Sequence, residues 1–269
     1  MTSSTDDTRR SRQYTALADE LYRALLGRFT VPPLRTRGLD LDVDDAYGIS
    51  LALLAHRLQA GEKTIGKKIG LTSKAVQDML GVHQPDFGFL TDRMQVPDGG
   101  DIRIAERLIQ PRAEAEIALL LKSGLEGPGV SPADVLAATD WIAPCFEIVD
   151  SRIRNWDIRI IDTVADNASC GVFVLGTARV DPRTRDLSAL RVSVWKNDQP
   201  LSQGLGSAVQ GSPLASVAWL ANTLGRYGVT LDPGEVILSG SLVPLEPVRP
   251  GDRFRLALES VGEAAISFS

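Results

Sequence analysis

The run Gln110-Pro-Arg-Ala-Glu114-Ala-Glu116-Ile-Ala-Leu-Leu-Leu sets two glutamates two residues apart at the head of an apolar stretch. In a β-strand, residues i and i+2 share a face, with about 6.5–7 Å between their Cα atoms. Glu114 and Glu116 then project side by side, followed on that face by Ala118 and Leu120, while Ala115, Ile117, Leu119 and Leu121 face a core. Carboxylates held together beside apolar residues repel each other and are costly to desolvate. A cation between them removes the conflict. Hard divalent ions such as Mg²⁺ or Mn²⁺ prefer oxygen ligands and keep positions open for water or substrate. The competing reading is a solvated strand end with Arg112 as partner. A third carboxylate, Glu147, is enclosed by Phe146, Ile148 and Val149. That is an expensive place for an unpaired charge, and it makes Glu147 the natural third ligand unless it lies on the solvated face of an edge strand. Asp150 and Arg152, just beyond, read as an ion pair or a loop contact.

Three further segments could carry chemistry. Gly61-Glu-Lys-Thr-Ile-Gly-Lys67-Lys68 approaches the phosphate-binding pattern Gly-x4-Gly-Lys-Ser/Thr, but Lys68 stands where the Mg²⁺-ligating hydroxyl is required. It reads better as a strand, Lys67–Gly70, whose alternation points one lysine into a cavity and leaves the other solvated. Asp86, between Pro85 and an aromatic-Gly pair, is first of all a turn residue and second a candidate acid or base. Asp166-Asn-Ala-Ser169-Cys-Gly171 is a small-residue turn entering a strand. It offers the Ser169 hydroxyl and backbone N–H groups, although an ordinary turn fits equally well.

These residues need a scaffold. Residues 14–28 place Leu17, Leu21 and Leu25 on one helical face. A second helix is expected from Val43 to Gln59, with Asp42 as N-cap and Gly61 just past its end. Val31-Pro-Pro-Leu-Arg connects the two. After Gly61 short β-like runs follow at 65–70, 114–121, 144–150, 170–176, 190–196, 235–239, 252–258 and 264–268. Helices interrupt them at Lys74–Leu80 (capped by Ser73), Pro132–Ala138 (capped by Ser131) and Leu214–Tyr227. Strands and helices do not alternate regularly, which argues against a doubly wound parallel sheet. The expected class is α+β: a disordered tail over 1–12, a helical segment over 13–61 and a β-rich catalytic domain over 62–269.

Composition narrows the function. The 269 residues are 43% hydrophobic, enough for a sizeable core, and 29 Lys and Arg face 34 Asp and Glu. A balance of this kind gives no basic stripe for nucleic acid. No apolar run approaches the ~20 residues of a membrane span, and no signal peptide is expected at the polar N-terminus. Cys145 and Cys170 sit in strand-like runs and read as reduced, buried thiols in a cytoplasmic protein. The two histidines, His56 on a helix face and His83 in a loop, form no ligand pair and leave a cysteine nucleophile without a basic partner.

Six segments, in order, resemble the 2-hydroxypenta-2,4-dienoate (2-keto-4-pentenoate) hydratases of the fumarylacetoacetate hydrolase superfamily. They are Gly66-Lys-Lys-Ile-Gly-Leu-Thr-Ser-Lys-Ala-Val-Gln, Gln84-Pro-Asp-Phe-Gly, Pro111-Arg-Ala-Glu-Ala-Glu, Phe146-Glu-Ile-Val-Asp-Ser-Arg, Asp166-Asn-Ala-Ser, and Ile237-Leu-Ser-Gly-Ser with Pro247-Val-Arg-Pro-Gly-Asp252. The resemblance implies a rolled, mixed β-sheet core with an N-terminal helical segment, and a Mg²⁺ or Mn²⁺ ion held by Glu114, Glu116 and Glu147. It puts the family's active-site lysine on Lys68, its acid/base aspartate on Asp86 and its substrate-facing serine on Ser169. It further implies a homo-oligomer, pentameric or decameric, acting late in meta-cleavage degradation of aromatic compounds, with a pathway decarboxylase or aldolase as a candidate partner.

The related 4-oxalocrotonate decarboxylases carry an aromatic-Gly-Arg-Leu segment where this chain has Gln84-Pro-Asp-Phe-Gly. The superfamily's hydrolases tend to carry Gly-Thr-Pro where this chain has Ser239-Gly-Ser-Leu-Val-Pro. The expected activity is therefore addition of water to 2-hydroxypenta-2,4-dienoate. A metal-dependent 4-oxalocrotonate decarboxylase and a non-catalytic partner subunit of a hydratase/decarboxylase complex are the alternatives.

Overall fold

The computed structural model describes residues 3–72, 77 and 84–269, with side chains from residue 9 onward. The expected helix Lys74–Leu80 with its Ser73 cap lies, apart from Gln77, outside the described residues, as does His83.

Two helices open the chain, α1 (Ser3–Gly27) and α2 (Val43–Gln59). Asp42 starts α2 by accepting the Asp45 N–H, while the Asp45 carboxylate accepts the Asp42 N–H. Each side chain thus satisfies an amide that the helix leaves unpaired. The stretch 1–12, expected as a disordered tail, is helical from Ser3 onward. The Asp45 carboxylate supplies a reason, because it accepts from both Arg10 (3.2 Å) and Tyr14 (2.5 Å) and so fastens the early turns of α1 to α2. Leu17, Ala18, Leu21 and Ala24 form the buried stripe of α1.

Thirteen strands follow among the described residues. The first seven are β1 (Thr64–Gly70), β2 (Asp86–Thr91), β3 (Gln95–Val96), β4 (Asp101–Ile102), β5 (Arg112–Leu121), β6 (Thr139–Val149) and β7 (Cys170–Leu175). The rest are β8 (Arg191–Lys196), β9 (Gln199–Leu205), β10 (Val236–Leu238), β11 (Glu246–Pro247), β12 (Arg253–Leu258) and β13 (Gly262–Phe268). Helices α3 (Pro132–Ala138), α4 (Ile160–Ala165) and α5 (Pro213–Gly225) are interspersed.

One mixed sheet runs β2-β1-β10-β5-β6-β7-β3, with β11 added beside β5; a second runs β4-β13-β12-β8-β9. The class is α+β, as expected. All eight anticipated β-runs appear with shifted ends, whereas β2, β3, β4, β9 and β11 were not anticipated. Asp86 therefore begins a strand rather than sitting in a turn. Strand β9 is a polar edge strand, so it shows no apolar alternation to read. No described helix is long and apolar enough to cross a membrane.

On β5 the alternation holds. Ala113, Ala115, Ile117, Leu119 and Leu121 enter the main core. The other face, through Ala118, joins a smaller cluster with Cys145, Cys170, Phe173, Val236 and Leu238. This second face carries the glutamates. Lys68 on β1 and Glu147 on β6 are separated by β10 and β5, so a flat sheet would hold their strands about 14 Å apart. Their charged atoms nevertheless lie 3.2 Å apart. The sheet must curl to achieve this.

Asn167 ties the curled sheet together. Strand β2 is an edge, and the Asn167 side chain bonds it as a neighbouring strand would. Its Oδ1 accepts the Phe89 N–H at 2.7 Å, and its Nδ2 donates to the Phe89 carbonyl at 3.0 Å. Gly88 permits this approach, since a Cβ there would lie 2.6 Å from the Asn167 carbonyl oxygen. Gly88→Ala is expected to destabilise the fold by about 1–3 kcal/mol through overpacking. The effect should appear as a lower urea midpoint at unchanged slope; an unshifted midpoint would show that this contact does not brace β2.

Candidate metal centre and active site

Register assembles the acidic cluster. Glu114 on β5 lies directly opposite Glu147 on β6, and Glu116 lies opposite Cys145. Ligand oxygens of the three glutamates fall within 4.8 Å of one another. Glu114 is 8% exposed, Glu116 1% and Glu147 0%. Arg112, the alternative partner, does not neutralise them: its guanidinium sits 4.5 Å above the Trp156 ring. Glu116 Oε2 accepts the Gly240 N–H at 2.8 Å, but among the described residues Glu116 Oε1 and both oxygens of Glu147 have no hydrogen-bond partner. Lys68 approaches Glu147 Oε1 as an ion pair.

The electrostatics follow from this crowding. Burial, then the charge of Glu147, pushes the Glu114 carboxyl up to about 8. Burial and the charges of Glu147 and Glu114 hold Glu116 well above the usual carboxylate range. Glu147 is raised too, chiefly by burial, with Lys68 working in the opposite direction. For Lys68, burial opposes the charge, but Glu147, Asp86 and Glu114 outweigh it and keep the amine protonated.

A divalent cation fits these residues. Buried, unpartnered carboxylate oxygens converge on one point, and one lysine does not balance three glutamates. An all-oxygen donor set suits a hard ion. The neighbouring thiols are not among the converging ligand atoms; burial, then Glu116 and Glu147, pushes Cys145 well up, and burial and Glu147 do the same to Cys170.

Lys67 departs from expectation. It points to the opposite face from Lys68, as alternation requires, yet it is only 3% exposed rather than solvated. Its ammonium bonds both oxygens of Glu235, at 2.6 and 2.5 Å. A buried carboxylate on that face replaces the water that a surface lysine would have.

Asp86 opens β2 opposite Gly70 and is 1% exposed. Its Oδ2 accepts from the Thr163 hydroxyl at 2.6 Å, while Oδ1 has no hydrogen-bond partner among the described residues. Gly70 makes room for it: a Cβ at Gly70 would lie 2.2 Å from Asp86 Oδ1 and 3.0 Å from Lys68 Nζ. The lysine and the aspartate therefore flank the same small space.

Ser169 is 3% exposed and its hydroxyl has no partner among the described residues. It ends a run of three left-handed non-glycine residues, Asn167 (φ 54), Ala168 (φ 49) and Ser169 (φ 54). Such a run costs conformational energy and persists only where its surroundings fix it. Arg152 provides the fixing. Its Nε bonds Asp166 Oδ1 at 2.6 Å, its Nη1 bonds the carbonyls of Asp150 and Cys170, and its Nη2 bonds the Asp166 carbonyl. Arg152 thus pairs with Asp166, not through an ion pair with the Asp150 carboxylate. That carboxylate instead accepts the N–H groups of Ile109 and Gln110.

A cavity of about 540 Å³ is lined by Thr72, Gln84, Pro85, Ala208, Gln210 and Trp219, among others. It adjoins the cluster, because Thr72 packs against Gly240 and Pro85 precedes Asp86. A cavity of about 590 Å³ lies around Lys67 and Glu235 and contains none of the three glutamates. Sequence reasoning did not single out Thr163, Gly70 or the Gly240 N–H. Their roles arise from contacts between distant segments and leave no local pattern.

Comparison with known proteins agrees with this architecture. The family described as fumarylacetoacetate (FAA) hydrolase C-terminal matches residues 50–268. The chain is 59% identical to a 2-hydroxyhexa-2,4-dienoate hydratase of Comamonas testosteroni, over 93% of this chain and 95% of that one. It is 62% identical to a 2-hydroxypent-2,4-dienoate hydratase of Pseudomonas putida, over 79% of this chain and 96% of that one. Among solved structures, 4-oxalocrotonate decarboxylase from Pseudomonas putida G7, complexed with magnesium and adipate, superposes with a TM-score of 0.93 at 36% identity. That match covers 96% of this chain and 98% of the decarboxylase.

The raised carboxyls make metal-free stability depend on pH. Between the ordinary 4.5 and the folded value of about 8, Glu114 binds more protons folded than unfolded. Its stabilising contribution is therefore full below that window and lost as pH rises through it. Metal-free protein should melt lower at about pH 8.5 than at about pH 5.5, and Mg²⁺ or Mn²⁺ should raise the melting temperature more at the higher pH. Thermal melts with and without chelator measure this; equal metal effects at both pH values would argue against a buried carboxylate site.

Proposed function

The chain belongs to the fumarylacetoacetate hydrolase family, and from that membership we propose that it is a divalent-metal-dependent hydratase. In this reading it adds water to 2-hydroxypenta-2,4-dienoate to give 4-hydroxy-2-oxopentanoate. The observation that carries the reading is the convergence of Glu114, Glu116 and Glu147 with Lys68 and Asp86 in one buried pocket. Similarity supports hydration over decarboxylation, since the two dienoate hydratases are 59% and 62% identical and the decarboxylase 36%. A non-catalytic partner subunit would not need all three carboxylates, and all three are present.

Glu114, Glu116 and Glu147 would hold a Mg²⁺ or Mn²⁺ ion. When bound, that ion supplies Lewis-acid polarisation of the substrate's 1-carboxylate and 2-oxygen. Lys68 sets a fixed positive charge beside the oxygen on which negative charge develops. Asp86 takes the 2-hydroxyl proton and returns a proton at C5, converting the dienol to 2-oxopent-3-enoate. Water then adds across the activated alkene: its oxygen bonds C4, Asp86 takes the proton the water loses, and the same carboxyl returns a proton to C3. Ser169 hydrogen-bonds the substrate or orients this water. The cavity beside Trp219 and Gln210 receives the C5 end of the chain. We read the protein as a cytoplasmic homo-oligomer, pentameric or decameric, acting late in meta-cleavage degradation of aromatic compounds.

An ultraviolet assay of dienoate consumption with Mg²⁺, Mn²⁺ or chelator tests the proposal, with 4-oxalocrotonate run alongside. Chelator should abolish turnover, and Glu147→Gln should lower kcat on the order of a hundredfold or more. Turnover that ignores chelator would refute metal dependence. Decarboxylation faster than hydration would move the chain to the decarboxylases.

A further inference from the structure

Thr163 lies on α4, well away in sequence from the acidic cluster, and is 2% exposed. Its hydroxyl is spent on one contact relevant to the site, donation to Asp86 Oδ2 at 2.6 Å. The other oxygen, Oδ1, is buried without a hydrogen-bond partner among the described residues and faces the space beside Gly70 that Lys68 Nζ also borders. The two oxygens of one carboxylate are thus made unequal, one tied to the scaffold and one free in the pocket.

The element that carries Thr163 is itself fixed at both ends. At its start, the Asp162 carboxylate receives Arg35 Nη1 at 2.6 Å. Just beyond its end, Asp166 is clamped by Arg152, and Asn167 bonds Phe89 on the strand that bears Asp86. Thr163 and Asn167 therefore grip β2 at two points three residues apart. A carboxylate bonded at one oxygen by a rigid donor loses rotation about its Cβ–Cγ bond, and such restriction preserves productive geometry for proton transfer.

We propose that Thr163 is a positioning residue for proton transfer, which occupies Asp86 Oδ2 and leaves Oδ1 as the oxygen that exchanges protons with the substrate. The hydroxyl keeps its own proton. Oδ1 takes up the substrate's 2-hydroxyl proton and releases one to carbon, so the carboxylate ends each cycle as it began. This assignment rests on the hydratase reading for the identity of the substrate, but not for the geometry.

The test uses the full-length, metal-loaded enzyme as wild type, Thr163→Val and Thr163→Ser. Three measurements are made: kcat and KM on 2-hydroxypenta-2,4-dienoate, Mn²⁺ affinity, and deuterium exchange at C3 of 2-oxopentanoate in heavy water by NMR. Valine keeps the shape and removes the donor, whereas serine keeps the donor. Thr163→Val is expected to lower kcat and C3 exchange about tenfold to a hundredfold, with KM and Mn²⁺ affinity within about twofold. Thr163→Ser should recover both rates to within about threefold of wild type.

Undiminished kcat in Thr163→Val would overturn the assignment. So would an equal loss in Thr163→Ser, or a loss matched by weakened Mn²⁺ binding, which would mark a structural role. If wild type leaves the dienoate unchanged yet exchanges 2-oxopentanoate in a Thr163-dependent way, the hydratase reading fails and the positioning role stands. Absence of both reactions in wild type overturns both.

Discussion

Three glutamates buried around a single point, with one ammonium reaching Glu147 at 3.2 Å, set the terms for the rest of the molecule. Like charges in a water-poor space cannot all ionise without compensation. The compensation within the chain is Lys68, and the proposed divalent cation would supply the remainder. Lys68 is on β1 and Glu147 on β6, so the contact exists only because the larger sheet curls. The fold and the electrostatics of the site are in that sense one problem.

Closure of the sheet in turn depends on the segment from Asp150 to Cys170. Arg152, almost entirely buried, spends its donors on Asp166 and on three backbone carbonyls. Burial, partly offset by Arg152, pushes the Asp166 carboxyl up to about 6. This network holds three successive left-handed residues, and the strain they store is borne by a packed, hydrogen-bonded surround. From the same segment Asn167 braces β2, Thr163 holds Asp86 and Ser169 presents its hydroxyl. Positioning for several site residues thus comes from one short stretch rather than from each residue's own strand.

The two faces of β1 illustrate how neighbouring lysines acquire different duties. Lys68 joins the acidic cluster, while Lys67 is neutralised by Glu235 on the other side. Both are buried, and each has a carboxylate partner from a different part of the chain. Lys67 therefore reads as structural, and Lys68 as the charge left facing the pocket.

Strand periodicity and local enclosure in the sequence determined a good deal: the α+β class, the helix Val43–Gln59 with its Asp42 cap, and the shared face of Glu114 and Glu116. Those features are legible because strand alternation and capping act over two to four residues. The ordered motifs added Lys68, Asp86 and Ser169 as a set. Periodicity did not reveal β2, whose Asp86 read as a turn, because an edge strand bonded by an asparagine side chain has no repeating signature. It did not give Lys67 its partner Glu235, Arg152 its partner Asp166, or Asp86 its partner Thr163, pairs separated by 168, 14 and 77 residues. Only the curled sheet brings those groups together, because which side chains share a buried space is settled by chain folding and not by spacing along the chain.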